Sequence, residues 1–400
     1  MTAWADAEGR LEPPWGDPWR LVAAAGGTPC FVYDTAAIRR RVAALRAALP
    51  ASLALRYAVK ANPMPAVVHE FAGLVDGFDV ASAGEMRVAL NACRAPARVA
   101  FAGPGKTDAE LRAAVAAGTL VEAESAAEVA RLKMIAEGLG VSARLALRVN
   151  PGIAVRGSGL RMAGASPFGM MPDAARAVLA EDVAPPLTYE GLHCFFGSQI
   201  RDPDVLRHAF TTVAGVVERV AEAGPAPPEH VNLGGGFGIP YASGESPLDL
   251  GRVASALSPV VARLQALWPQ ASQAIELGRF LVGEAGVYLT TVVDRKTADG
   301  ETFVVTDGGL HHVLAATGNF GQRIRRPWPV AVATRRPDAP LEAQTIVGCN
   351  CTPLDRLASE ANLPRVEPGD LVAVFQTGAY GASASPVGFL SHPLPAEVLV

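Results

Sequence analysis

The sequence predicts an α/β protein, a (β/α)₈ barrel followed by a mainly-β domain. Between residues 53 and 276, short apolar runs alternate with amphipathic helical patterns. After Gly286, strand patterns follow one another with little helix between them. The 400 residues also exceed what one ordinary core needs, so two domains are expected.

The elements follow in order. Residues before Thr28 are rich in Pro, Trp and Gly and read as irregular. Thr28–Tyr33 reads as a strand, and Asp34 caps a helix with Ile38, Val42, Leu45 and Leu49 at helical spacing. The barrel strands expected are Leu53–Val59, Gly77–Val80, Val99–Ala102, Leu120–Glu122, Leu145–Val149, Tyr189–Cys194, His230–Leu233 and Gln273–Glu276. Helices expected between them include Ala83–Ala92, Thr107–Ala117, Ser125–Glu137, Asp204–Ala223 and Leu248–Trp268. Val287–Val293, Thr302–Val305, Val330–Val332, Ala343–Val347 and Leu371–Phe375 then supply the β domain. The barrel is therefore assigned to residues 36–284, and the mainly-β domain to 1–35 and 285–400.

With 50% hydrophobic and 18% charged residues, the chain has material for a large buried core. A net charge of −4 supplies no basic face for nucleic acid or an anionic membrane. No apolar run reaches membrane-span length, and the first ten residues lack the basic and apolar regions of a signal peptide. Five scattered cysteines, an odd number, point to reduced thiols in a cytoplasm. Cys349 and Cys351 are too close for zinc-ribbon spacing and have no matching pair, so no metal site is expected.

Barrel strands present their C-terminal ends to the active site. At those ends stand Lys60, Asp79, Arg148, His193, Gly234-Gly235-Gly236 and Glu276. A lysine leaving an apolar wall is expected to be desolvated, which lowers its pKa and makes its amine nucleophilic. By itself Lys60 fits better a side chain that snorkels off a strand end. The glycine run lets backbone N–H groups approach an anion, though a tight turn explains it as well. His193 precedes Gly197-Ser198-Gln199; an imidazole can stack on a flat ring, or be a satisfied core histidine. Glu276 needs a buried partner, which is either a protonated ring nitrogen or Arg279. Jointly, these positions describe a pocket for pyridoxal phosphate, an electron sink for carbanion chemistry.

The same stretches resemble the fold-type III pyridoxal-phosphate decarboxylases, the family of diaminopimelate, ornithine and arginine decarboxylases. They are Tyr57-Ala58-Val59-Lys60-Ala61-Asn62, Phe78-Asp79-Val80-Ala81-Ser82, His193 with Gly197-Ser198-Gln199, Gly234-Gly235-Gly236-Phe237-Gly238, Glu276 with Gly278-Arg279, Cys351 with Asp355, and Gly378-Ala379-Tyr380. The resemblance implies that Lys60 bonds the cofactor, His193 stacks on its ring and Glu276 pairs with the ring nitrogen. It implies phosphate contacts from Ser198, Gly235, Gly236, Arg279 and Tyr380. Asp79, Arg148 and Gly278 complete the implied cofactor site, and Arg279, Thr352, Asp355 and Phe389 the substrate site. Cys351 is implied as the acid that protonates Cα, reaching the partner's site in a head-to-tail homodimer. Tyr380 belongs either to the subunit holding the cofactor or to its neighbour.

The departures bear on the substrate. The usual Pro after the Glu is Leu277, and Cys351-Thr352-Pro353 replaces Cys-Glu-Ser, so Thr352 stands where a Glu or Asp meets a distal amine. Counting from Asp307-Gly308-Gly309 places Ala315 and Asn319 where the family has the Arg and Tyr of a distal carboxylate clamp. The terminal Tyr-Asn is replaced by Phe389-Leu390. An unpaired, desolvated substrate charge costs about 2–5 kcal/mol, which disfavours free diaminopimelate and ornithine, although Arg323, Arg325 or Arg326 offers a substitute charge. The chain is also similar to the subgroup tied to exosortase loci and to enzymes that decarboxylate an aminoacyl group on a carrier protein. The expected reaction is thus α-decarboxylation of an amino acid or conjugate, with diaminopimelate decarboxylation the alternative. A racemase of this fold would place an arginine at the ring nitrogen, and a non-catalytic relative would lose the lysine or phosphate contacts.

Overall fold

The computed structural model describes residues 17–153, 166–242, 244–318, 328–334 and 340–400. Asn319, Arg323, Arg325 and Arg326 lie outside the described residues, as do the first sixteen. Two compact units are present. One comprises residues up to Arg41, Ile239–Ser246 and Arg279–Val400; the other comprises Val42–Gly238 and Pro247–Gly278.

Strand β1 (Cys30–Tyr33) belongs to the first unit. The barrel unit carries β2 (Leu53–Ala58), β3 (Gly77–Val80), β4 (Val99–Phe101), β5 (Leu120–Ala123), β6 (Ala143–Val149), β7 (Leu187–Cys194), β8 (His230–Gly235) and β9 (Ser272–Leu277). These eight strands close in sequence order, and β2 pairs in parallel with both β3 and β9. Their residues are almost all buried, as parallel strands covered on both faces must be. Polar first turns set several of the surrounding helices. Ser82 and Ser125 accept the backbone N–H groups of Glu85 and Glu128, and Thr107 and Glu110 form a reciprocal capping box.

The sequence reading differs from the structure in definable places. Helix Pro65–Ala72 and helix Pro172–Glu181 each begin with proline and are too short for a clear helical period. Pro18–Ala25 is helical rather than irregular, capped by the Asp17 carboxylate and ended by Gly26 at φ 89°. The strand expected to reach Val59 stops at Ala58, and Val59–Ala61 forms a 3₁₀ turn. Asn62 imposes that stop. Its Oδ1 accepts the Met64 N–H at 3.0 Å, and its carbonyl accepts the Tyr57 hydroxyl at 3.0 Å.

The other unit is built on an eight-stranded sheet. To β1 it adds β10 (Gly286–Ala298), β11 (Glu301–Thr306), β12 (Val330–Val332), β13 (Leu341–Val347), β14 (Arg356–Pro364), β15 (Leu371–Phe375) and β16 (Ala396–Leu399). β1 pairs antiparallel with β10 and parallel with β16. Cys30, Val32, Val287, Leu289, Leu371, Ala373 and Phe375 form the apolar cluster that holds these strands. β14 and β16 have no counterpart in the sequence reading: β14 carries Ser-Glu-Ala-Asn in its middle, and β16 follows a proline-rich tail.

Candidate active site

His193 on β7 lies between two carboxylates. Its Nδ1 is 2.8 Å from Glu122 Oε2 on β5, and its Nε2 is 3.1 Å from Glu276 Oε2 on β9. Neither contact is aligned as a hydrogen bond, so the three groups are held together by charge. All three are buried. Burial works against the imidazolium, yet Glu122 and Glu276 outweigh it and raise the His193 pKa to about 10. Burial likewise opposes the Glu276 charge, but His193, with help from Lys60 and Arg148, holds that carboxyl down at about 2. Glu122 is held below the usual carboxylate range by the same histidine, against its own burial. Asn232 on β8 orients the group: its Nδ2 donates to Glu276 Oε2 at 3.4 Å, while its Oδ1 accepts the Gly234 N–H at 3.0 Å.

Asp79 is the neighbouring acid. Arg56 Nε donates to Asp79 Oδ1 at 2.7 Å, while Asp79 Oδ2 is buried with no hydrogen-bond partner. Burial pushes the Asp79 carboxyl up to about 7; Arg56 counters it, and Glu276 and Glu122 add to it. Arg148 is fixed by Glu124 at 2.6 Å, and its guanidinium lies over Phe168. Glu124 also accepts the backbone N–H of Gly169 at 2.8 Å, so the carboxylate that holds Arg148 is itself tied to the backbone. Lys106 makes a buried ion pair with Glu128 at 2.6 Å.

The glycine loop packs backbone against backbone. A Cβ at Gly235 would meet the Glu276 carbonyl oxygen and one at Gly236 the Gly197 carbonyl oxygen, both far inside contact distance, and Gly236 has φ 79°. The Ile200 N–H donates to the Gly236 carbonyl and the Gly238 N–H to the Ile200 carbonyl, each at 2.9 Å. This pairing brings the Ser198 segment to the loop. Gly278 closes against the turn after β2, where a Cβ would stand 2.7 Å from Ala61 Cβ.

Lys60 corrects the sequence reading. Its side chain is exposed rather than desolvated, because the strand ends one residue earlier than expected and Lys60 sits in the 3₁₀ turn that follows. Its ammonium lies 5.0 Å from the centre of the Phe195 ring, a cation–π contact.

In the other unit, Arg279 opens the short helix Arg279–Val282 and donates to the Tyr241 hydroxyl at 2.7 Å. Its guanidinium lies 4.5 Å from the Tyr380 ring centre, and Tyr380 has φ 56°. Cys351 is exposed, Thr352 half-buried and Phe389 exposed. Asp355 is buried and already occupied. It accepts the backbone N–H groups of Leu310 and Asn350 and the Asn350 amide, which ties it to the turn rather than leaving it open to a substrate.

Sequence reading missed Glu122, Asn232, Arg56, Glu124 and Tyr241. Glu122 carried a signal, being a charged residue at the end of an expected strand. The others sit inside strands or loops and gain meaning only from partners distant in sequence.

The donor set fits a flat heterocycle with an aldehyde and an anionic arm. An ionised carboxylate is available for a ring N–H, an imidazole for the ring face, glycine backbone for the anion and an exposed amine for the carbonyl. Asp79 Oδ2 and Glu122 Oε1 are buried without an aligned partner, so polar capacity remains. Fold and site together are those of an enzyme that works on amines through a carbonyl cofactor.

Residues 35–283 match the pyridoxal-dependent decarboxylase family in its pyridoxal-binding domain. The chain is 36% identical over 381 residues to an L-glutamyl-[BtrI acyl-carrier protein] decarboxylase of Niallia circulans, covering 93% of this chain and 88% of that protein. It is 34% identical over 394 residues to a diaminopimelate decarboxylase of Neisseria meningitidis, with coverage of 96% and 92%. The diaminopimelate decarboxylase of M. jannaschii, solved with L-lysine, superposes with a TM-score of 0.88 at 25% identity, covering 98% of this chain and 92% of that one. The chain therefore belongs to the fold-type III pyridoxal-phosphate-dependent decarboxylases, and its cofactor is pyridoxal 5′-phosphate. It is an amino-acid carboxy-lyase. Among the described residues no helix is long and apolar enough to cross a membrane.

Proposed function

We propose that the substrate is an α-amino acid conjugate, an amino acid tethered to an acyl-carrier protein by a thioester at its side-chain carboxyl, which loses its free α-carboxylate. One observation carries this reading: the positions that would grip a distal charge are filled by the buried methyl of Ala315 and the hydroxyl of Thr352. A substrate with a charged far end would lose about 2–5 kcal/mol there. A thioester-tethered group has no such charge to satisfy. The 36% identity to a glutamyl-carrier decarboxylase supports the same reading.

When bound, pyridoxal phosphate supplies a sink for the electron pair left as the carboxylate departs. Lys60 would hold it covalently and His193 would cover its ring. Glu276, ionised down to about pH 2, would keep a proton on the ring nitrogen. Ser198, Gly235, Gly236, Arg279 and Tyr380 would hold the phosphate, with Asp79, Arg148 and Gly278 shaping the site. Cys351, exposed on the single chain, would deliver a proton to Cα from the second subunit of a homodimer. The five free cysteines fit a cytoplasmic setting.

The test is carbon dioxide release from free and carrier-loaded amino acids at matched concentration. The carrier-loaded substrate should be turned over well and free diaminopimelate, ornithine and lysine poorly. Turnover of free diaminopimelate with kcat/KM of about 10⁴ M⁻¹s⁻¹ or more would replace this reading with the lysine-pathway one.

A further inference from the structure

We propose that His311, Cys349 and His392 bind one zinc ion in the mainly-β unit. Cysteine spacing gave no reason to expect a metal, because it set Cys349 beside Cys351. Folding leaves Cys351 exposed and instead gathers three segments around Cys349. His311 comes from the turn after β11, Cys349 from the turn after β13, and His392 from the segment leading into β16.

One ligand atom from each of the three residues lies within 4.8 Å of the other two, and Cys349 Sγ is 3.7 Å from His392 Nε2. A tetrahedral ion with bonds of about 2.0–2.1 Å to nitrogen and about 2.3 Å to sulfur needs ligand atoms about 3.3–3.6 Å apart. The Cys349–His392 pair already lies near that separation, and side-chain rotation must bring the rest of the set in from as much as 4.8 Å.

The ring of His311 is fully buried, and its Nε2 has no hydrogen-bond partner. A buried polar atom left bare is costly, and a bound cation relieves that cost. Its Nδ1 lies 2.6 Å from the Asn350 side-chain amide. That amide nitrogen also donates to Asp355 Oδ2 at 2.6 Å, so zinc binding would rotate the Asn350 side chain off Asp355 to accept the ring proton on Nδ1, leaving the Nε2 lone pair for the ion. Asp355 then keeps the backbone N–H groups of Leu310 and Asn350. Metal-bound histidines are commonly fixed in this way through their second nitrogen.

His312 is not a ligand, although its ring stands 3.7 Å from that of His311. Its Nε2–H donates to the Pro393 carbonyl at 2.9 Å and its Nδ1 accepts the Tyr288 hydroxyl at 3.1 Å, so both nitrogens are occupied. His311 and His392 also line a cavity of about 370 Å³ with Thr28, Asp307 and Pro393. The cavity gives a water access as fourth ligand.

Two imidazoles and a thiolate select zinc over magnesium or calcium, which prefer oxygen donors. Binding displaces the thiol proton. The ion would tie the C-terminal segment to two turns of the sheet, a structural role independent of the cofactor.

The test uses the full-length holoenzyme, stripped with a chelator, dialysed and titrated with zinc against a chromophoric chelator. One zinc per chain is expected, together with a rise in melting temperature that magnesium does not produce. Cobalt in place of zinc should give the intense visible bands of a tetrahedral site in the red, clear of cofactor absorption. Cys349→Ser and His392→Gln should each weaken zinc binding by at least the roughly 10–100-fold that loss of even an outer partner costs. Cys93→Ser, at a half-buried thiol in the barrel unit, should not. Cofactor absorbance confirms that the variants are folded. Failure of wild-type protein to bind zinc at one to one would overturn the site, as would an octahedral cobalt spectrum or unchanged affinity in both folded variants.

Discussion

Glu122 lies 2.8 Å from the Nδ1 of His193, on the nitrogen that Glu276 does not face. The histidine therefore has an acid at each nitrogen, and one acid is free to serve a ligand without leaving the ring unpaired. Two buried carboxylates and one buried imidazole form an interior charge cluster in which each member depends on the others.

That dependence predicts the behaviour of Glu122→Gln. Removing one partner of a buried charge pair costs about 3–5 kcal/mol, so the variant should unfold well below the wild type. The pH dependence is more specific. A His193 pKa raised to about 10 from an ordinary value near 6.5 contributes stability that is fully present below pH 6.5. This contribution is lost as pH rises through 10. In the variant the raised pKa falls back, so the loss, which starts near pH 6.5 in both proteins, should be complete at lower pH and be smaller. Unfolding temperatures of both proteins at intervals between pH 6.5 and 10 measure this. Parallel curves would show that Glu122 does not hold the histidine charged.

The barrel was legible because each strand is a short apolar run flanked by helices with their own caps, all local signals. Strand-end logic then located His193, Glu276 and the glycine loop, since β7, β8 and β9 end within two residues of where their sequences say they should. At Lys60 the strand also ends within one residue of its expected place, but the side chain is exposed and not desolvated as expected. The strand stop depends on a turn built by Asn62, and the side chain's exposure depends on tertiary packing. The pairing of Arg56 with Asp79, or Arg148 with Glu124, has no sequence signature at all. β14 was hidden by polar residues in its exposed middle, and β16 by the short tail after Pro395, where neighbouring β1 supplies the strand's reason to exist.

Glu276→Gln isolates the carboxylate from its geometry. The substitution keeps the shape of the side chain and its reach to Asn232 but removes the charge. Cofactor should still bind, because the lysine and the glycine loop are untouched. Decarboxylation should slow by about two to four decades, a barrier increase of about 3–5 kcal/mol. Single-turnover kinetics on cofactor-saturated protein distinguish this from lost binding. An unchanged rate constant would mean that another group keeps the ring nitrogen protonated.

Lys60→Ala and Cys351→Ala together test whether two chains share each site. Each variant alone should be nearly inactive, the first for want of the amine that holds the cofactor, the second for want of the proton donor to Cα. In a two-fold dimer whose site takes Lys60 from one chain and Cys351 from the other, each mixed dimer contains one site with both native residues and one with neither. Equal mixing with free subunit exchange then restores about one quarter of the wild-type sites. Exchange is followed independently with differently tagged chains, so that failed mixing is not taken for failed rescue. Lys60→Ala also removes the borohydride-sensitive visible absorbance, which reports cofactor attachment in each preparation. Activity restored toward that level places Cys351 in its neighbour's site. Complete exchange without any rescue would confine Cys351 to its own chain or remove it from the chemistry, and the exposed thiol would then need another explanation.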